Sequence, residues 1–158
     1  MTKFIIFSIY TAVFIILTLI TYFKVKNTLY VLKNMTTPVE KIESLITKHS
    51  IFIILFFDEN TCKRTIKNMK KINTLMKKSN IPYACVNVLE NFDEKSGVAP
   101  AFEYLDKYQV SNVPSILRFE NHQLKACLSK GPDTLPLGEI KNFLGSSDSS
   151  KSKINAFL

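Results

Sequence analysis

The sequence is poor in the residues that build metal, phosphate and disulfide sites. Its 158 residues hold three cysteines, two histidines, four glycines and no tryptophan. Cys62, Cys85 and Cys127 are too few and too scattered for a disulfide scaffold or a zinc site. The odd count leaves at least one thiol without a partner inside the chain. His49 and His122 lie far apart, and neither has a cysteine or carboxylate at ligand spacing, so no metal is expected. Four glycines supply no phosphate-cradling loop, and no cofactor is expected.

Charge is also missing from one long stretch. Phe4 to Phe23 is twenty residues rich in Ile, Leu, Phe and Val, enough as a helix to span roughly 30 Å of hydrocarbon. The apolar core of a signal peptide runs about 7–15 residues and ends at a small-x-small site. This run is longer, and Thr21-Tyr22-Phe23-Lys24 offers no such site. Residues 1–26 therefore read as an uncleaved single-pass membrane anchor. Lys24, Lys26 and Lys33 on its C-terminal flank mildly favour a cytoplasmic domain. The sequon Asn34-Met35-Thr36 would matter only on a luminal side.

The net charge of +8 is uneven. Lys63, Arg64, Lys67, Lys70, Lys71, Lys77 and Lys78 fall in sixteen residues without an acid, while acids gather between Glu90 and Asp106. Two readings stand for this basic segment. One is the solvated face of an amphipathic helix. The other is an electrostatic patch in which Lys63, Lys67, Lys70, Lys71 and Lys78 meet anionic lipid or an acidic partner. No aromatic residue interleaves the lysines as a stacking platform, so no nucleic acid is expected.

Periodicity orders the rest. Leu29–Leu32 reads as a short strand, and Thr37-Pro38-Val39-Glu40 as a capped helix start running through Lys48. Ile51–Phe57 is an unbroken apolar run, the pattern of a central strand buried on both faces. A helix follows with Ile66, Met69, Ile72, Leu75 and Met76 inward, then a strand over Pro82–Val88 and a helix over Pro100–Tyr108. Ser115–Glu120 and Gln123–Ser129 form a hairpin about Asn121-His122. Gly131-Pro132 breaks the chain, Leu137, Ile140, Phe143 and Leu144 mark a last helix, and residues 146–158 read as a flexible polar tail.

Lys107-Tyr-Gln-Val-Ser-Asn-Val-Pro-Ser115 resembles the thioredoxin superfamily segment Lys-Tyr-x-Val-x-x-Ile/Val-Pro-Thr/Ser, and the element order resembles that family from Leu29 to Leu144. The resemblance implies an α/β fold for residues 27–145, a mixed β-sheet covered by helices and preceded by the transmembrane helix. It also implies a cis Val113–Pro114 bond facing an active-site cysteine. Val113 and Pro114 would then line a groove for an extended protein or peptide partner.

Dithiol chemistry needs two thiols one helical turn apart at a helix N-terminus. Thioredoxins write this as Trp-Cys-Gly-Pro-Cys, five residues after a strand-ending Phe. Five residues beyond Phe57 is Cys62, the candidate nucleophile. Thr61 stands for the Trp, Lys63-Arg64 for Gly-Pro, Thr65 for the resolving cysteine, and Phe56 for the family's buried acid. Cys62 is thus a monothiol at most, or simply a small residue at a strand–helix junction. Cys85 and Cys127, in apolar strand contexts, are expected to be buried and inert. The leading reading is a membrane-anchored thioredoxin-like protein, non-catalytic or monothiol, acting in protein binding. The alternative is a thiol-disulfide oxidoreductase that uses Cys62 with an external resolving thiol.

Overall fold

The computed structural model describes residues 2–130 and 135–145. The Gly131-Pro132 break and the expected tail lie outside the described residues. The chain divides into two compact units, Met1–Asn34 and Met35–Leu158.

The first unit belongs to one helix, α1 (Thr2–Met35). Its stretch Ile9–Met35 is long and apolar enough to cross a membrane. Leu29–Leu32, expected as a strand, is helical. Nothing between Val25 and Met35 breaks a helix, since neither proline nor glycine occurs there. The break comes at Pro38, which biases the residue before it toward extended backbone. Only there does the chain pair. Thr36 makes a single parallel bridge to Cys85, and the Thr37 N–H donates to the Cys85 carbonyl at 2.7 Å. The expected first strand is reduced to this bridge.

The same pairing displaces the expected helix cap. The helix opens as a 3-10 turn, Val39–Lys41, with no side-chain cap bond, and continues as α2 (Ile42–Lys48). Then follow β1 (Ile51–Phe57), α3 (Lys63–Lys78), β2 (Tyr83–Asn87), α4 (Pro100–Lys107), β3 (Ser115–Glu120), β4 (Gln123–Ser129) and α5 (Leu137–Gly145). The four strands lie in the order β2-β1-β3-β4. β1 is parallel to β2 and antiparallel to β3, and β3 is antiparallel to β4, so the sheet is mixed. At the β3–β4 turn Asn121 and His122 both take positive φ, +49° and +66°, as a two-residue hairpin turn requires. Asn121 N–H donates to the Ser50 carbonyl at 2.7 Å, and His122 Nδ1 lies 2.8 Å from the Ile46 carbonyl oxygen. These two contacts tie the hairpin to the last turn of α2 and to the residue before β1.

β1 organises the core. Phe52, Ile54 and Phe56 share a cluster with Ala84 and Val86 of β2, Leu117 and Phe119 of β3, and Val39, Ile42, Ile46 and Ala101 of the helices. Ile53, Leu55 and Phe57 alternate to the opposite face and are equally buried. On that side α3 and α5 pack together, burying Met69, Ile72, Met76, Ile140 and Leu144. Tyr108, just past α4, meets Phe119 edge to face with ring centroids 5.0 Å apart.

Phe56→Ala removes a fully buried ring from this sheet–helix interface. Denaturant unfolding of the intact protein is expected to show a loss of about 3–5 kcal/mol. Val98→Ala, at an exposed position, is expected to change stability by less than about 0.5 kcal/mol. Equal midpoints for the two variants would contradict this core.

Candidate functional site

The site begins where β1 ends. The Phe57 carbonyl accepts the Val88 N–H at 2.8 Å, the last link to the β2 side. Asp58 then turns the chain. Its carboxylate accepts the Asn60 N–H at 2.8 Å on one oxygen and the Thr61 hydroxyl at 2.7 Å on the other, closing an Asx-type turn. Asp58 is itself buried. This turn delivers Cys62 to the N-cap of α3, where its carbonyl accepts the Ile66 N–H at 2.9 Å. Cys62 N–H donates to the Asp58 carbonyl at 2.9 Å, and the Asp58 N–H points back at Cys62 Sγ from 3.4 Å. The Cys62 side chain is 0% exposed.

Thr65 follows one turn along α3, also 0% exposed, and its Oγ1 has no hydrogen-bond partner among the described residues. A buried hydroxyl left unsatisfied costs about 1–3 kcal/mol. Thr65 therefore occupies its position against a local penalty. Phe56 is packed in the apolar core, so that β1 position carries no ionisable group.

Pro114 lies at the same end of the sheet. β1 and β3 run antiparallel with Phe56 opposite Ser115, so Pro114 precedes β3 at the end from which β1 leads into the Asp58 turn. The Val113–Pro114 bond is cis. Pro114 is buried and Val113 half-buried. Ser115, fully buried, donates its hydroxyl to the Asn112 carbonyl and closes the approach loop. Topology thus brings Cys62, Thr65 and the Val113–Pro114 step to one sheet end, at the carboxyl ends of β1 and β2.

The other cysteines lie elsewhere. Cys85 is buried in β2, and burial pushes its thiol up to about 12. Cys127, expected to be buried, is exposed on β4. β4 is an edge strand, and its Gln123, Lys125 and Cys127 are all exposed. The sulfur still has enough apolar surroundings to raise its pKa. Lys63, Lys67, Lys70, Lys71 and Lys78 are exposed along α3, which only touches the site through its first turn.

Sequence reading overlooked Asp58 as the organiser of the Cys62 turn. The signal was present in Asp58-Glu-Asn-Thr61, where a carboxylate can accept from the second residue's N–H and the third residue's hydroxyl.

Burial makes a prediction about the thiols. Maleimide labelling of the native protein is expected to modify Cys127 first, with Cys62 and Cys85 reacting only as the protein unfolds. Labelling of Cys62 at the rate of a free model thiol would contradict its enclosure.

No protein-family model matches this sequence, and comparison with curated proteins gave no match. Solved structures do resemble it. The oxidised thioredoxin of Plasmodium falciparum is 18% identical, with 66% of this chain and 88% of that chain covered and a TM-score of 0.47. Thioredoxin 1 of Thermosipho africanus is 19% identical over 58% of this chain and 86% of that one, at 0.44. A designed protein is 18% identical over 70% and 90%, at 0.50. At these identities the likeness bears on the fold alone. With a mixed β2-β1-β3-β4 sheet between helices and a cis proline opening β3, this chain has a thioredoxin-like α/β fold.

Proposed function

We propose that the chain is a membrane-anchored thioredoxin-fold protein that holds an extended polypeptide at the Val113–Pro114 end of its sheet without running a dithiol cycle. Thr65 carries this reading. It is the residue one helical turn beyond Cys62, where a second thiol would have to resolve a mixed disulfide, and a hydroxyl cannot do so. Complete enclosure of Cys62 points the same way, because a substrate disulfide must reach the sulfur to be attacked. Binding needs neither thiol. Backbone groups beside a proline that opens a strand can pair with an extended peptide, and half-buried Val113 supplies apolar contact. The anchor reading rests on the uncharged run Phe4–Phe23 within α1.

A second reading has one observation in its favour. The Asp58 N–H and the first turn of α3 both lie at Cys62, the placement of a nucleophilic sulfur at a helix start. On that reading Cys62 attacks a partner disulfide and an external thiol completes the exchange.

Reduction of an insulin-type disulfide by the detergent-solubilised full chain distinguishes the two. The expected rate is no higher than that of the reductant alone, and Cys62→Ser is expected to leave it unchanged. Turnover by the wild type that disappears in Cys62→Ser would replace the binding reading with the monothiol enzyme.

A further inference from the structure

The outer face of α3 stands apart from the rest of the sheet-bearing unit. At 100° per residue its seven basic side chains, Lys63, Arg64, Lys67, Lys70, Lys71, Lys77 and Lys78, fall within an arc of about 140°, shared only with Thr74. All seven are exposed. Thr65, Met69, Ile72 and Met76 occupy the opposite arc and are buried. An ordinary solvated face mixes the two signs, as the other helices of this unit do. α2 has Glu43 with Lys48, α4 has Glu103 and Asp106 with Lys107, and α5 has Glu139 with Lys141. α3 has no acid in sixteen residues.

This clustering works against the helix itself. Lys63/Lys67 and Lys67/Lys71 are like-charge pairs four residues apart, and Lys63 and Arg64 sit at the end where the helix dipole disfavours cations. A surface of opposite sign offsets both terms. The chain supplies the means to reach one, since α1 ends at Met35 and Thr37 is already hydrogen-bonded to Cys85. With the unit attached this closely to an apolar helix, any anionic headgroups around that helix are present at high local concentration. Their potential decays within about a Debye length, ~8–10 Å.

We propose that the exposed basic face of α3 binds anionic phospholipid headgroups of the membrane that α1 enters. This inference rests on the anchor reading and adds to it a ligand class for the basic face of α3. Lipid is favoured over nucleic acid because no aromatic side chain lies on α3.

The test is amine labelling of the full chain in nanodiscs of phosphatidylcholine, with or without phosphatidylserine, read by mass spectrometry. Labelling of Lys67, Lys70, Lys71 and Lys78, taken relative to Lys125 on β4, is expected to slow several-fold in the anionic discs and to recover with added salt. In a variant carrying Lys67→Gln, Lys70→Gln, Lys71→Gln and Lys78→Gln, the protection of Lys63 and Lys77 is expected to vanish, while the buried side of α3 is unchanged. Identical relative rates in both discs would overturn the proposal and leave the anchor standing. Failure of the chain to incorporate into either disc would overturn the anchor and this inference together. Protection by soluble polyglutamate but not by anionic discs would overturn the lipid assignment in favour of an acidic polypeptide.

Discussion

Burial of β1 on both faces is the constraint from which the domain follows. Seven consecutive apolar residues, Ile51–Phe57, leave no face that water can wet, and all but Ile51 are buried. Each large side chain so enclosed contributes about 1.5–3 kcal/mol. Satisfying the strand requires a hydrogen-bonded neighbour on each side and helices above and below. β2 and β3 supply the first, and α2, α4, α3 and α5 supply the second. The carboxyl end of β1 then becomes the one place where the polar turn at Asp58, the start of α3 and the approach to β3 meet.

That meeting point gathers Cys62, Thr65 and the Val113–Pro114 step. A cysteine caps a helix behind a tightly bonded turn, and a cis proline opens the strand beside it. The residue one turn away is a threonine whose hydroxyl is buried without a partner among the described residues, and Phe56 of β1 belongs to the apolar core. Dithiol exchange requires a second sulfur, and proton transfer requires an ionisable group. Neither occupies the position that would supply it here. Backbone groups and apolar surface do stand at this sheet end, and the proposed holding of an extended chain rests on them.

What was legible in the sequence depended on how local its cause was. The apolar run of β1, the buried stripe of α3 and the Val113–Pro114 step each carry their own signal, through period, proline chemistry and motif. Leu29–Leu32 did not, because whether an apolar segment is strand or helix turns on whether a partner strand is available to it. The helix simply continued until Pro38 ended it, and the sheet received one bridge at Thr36. Cys127 misled because its neighbours Ala126 and Leu128 suggest burial, whereas β4 alternates and Cys127 shares the exposed face of Gln123 and Lys125. The basic character of α3 was plain from composition. Its confinement to a single arc follows once the helix is phased by the buried Met69, Ile72 and Met76.

The proposed reading puts Cys62 and Thr65 at the two positions of a dithiol pair, with a hydroxyl where the second sulfur would stand. Residues three apart in the first turn of a helix place their side chains about 5–6 Å apart at Cβ, close enough for a modest adjustment to join two sulfurs. Thr65→Cys in the full chain tests the claim directly. The expected result is that mild oxidation closes a disulfide between Cys62 and the introduced thiol, while insulin-type reduction stays absent because both positions are enclosed. If both thiols remain titratable after oxidation, Cys62 and position 65 are not arranged as a dithiol pair, and that result would contradict the reading.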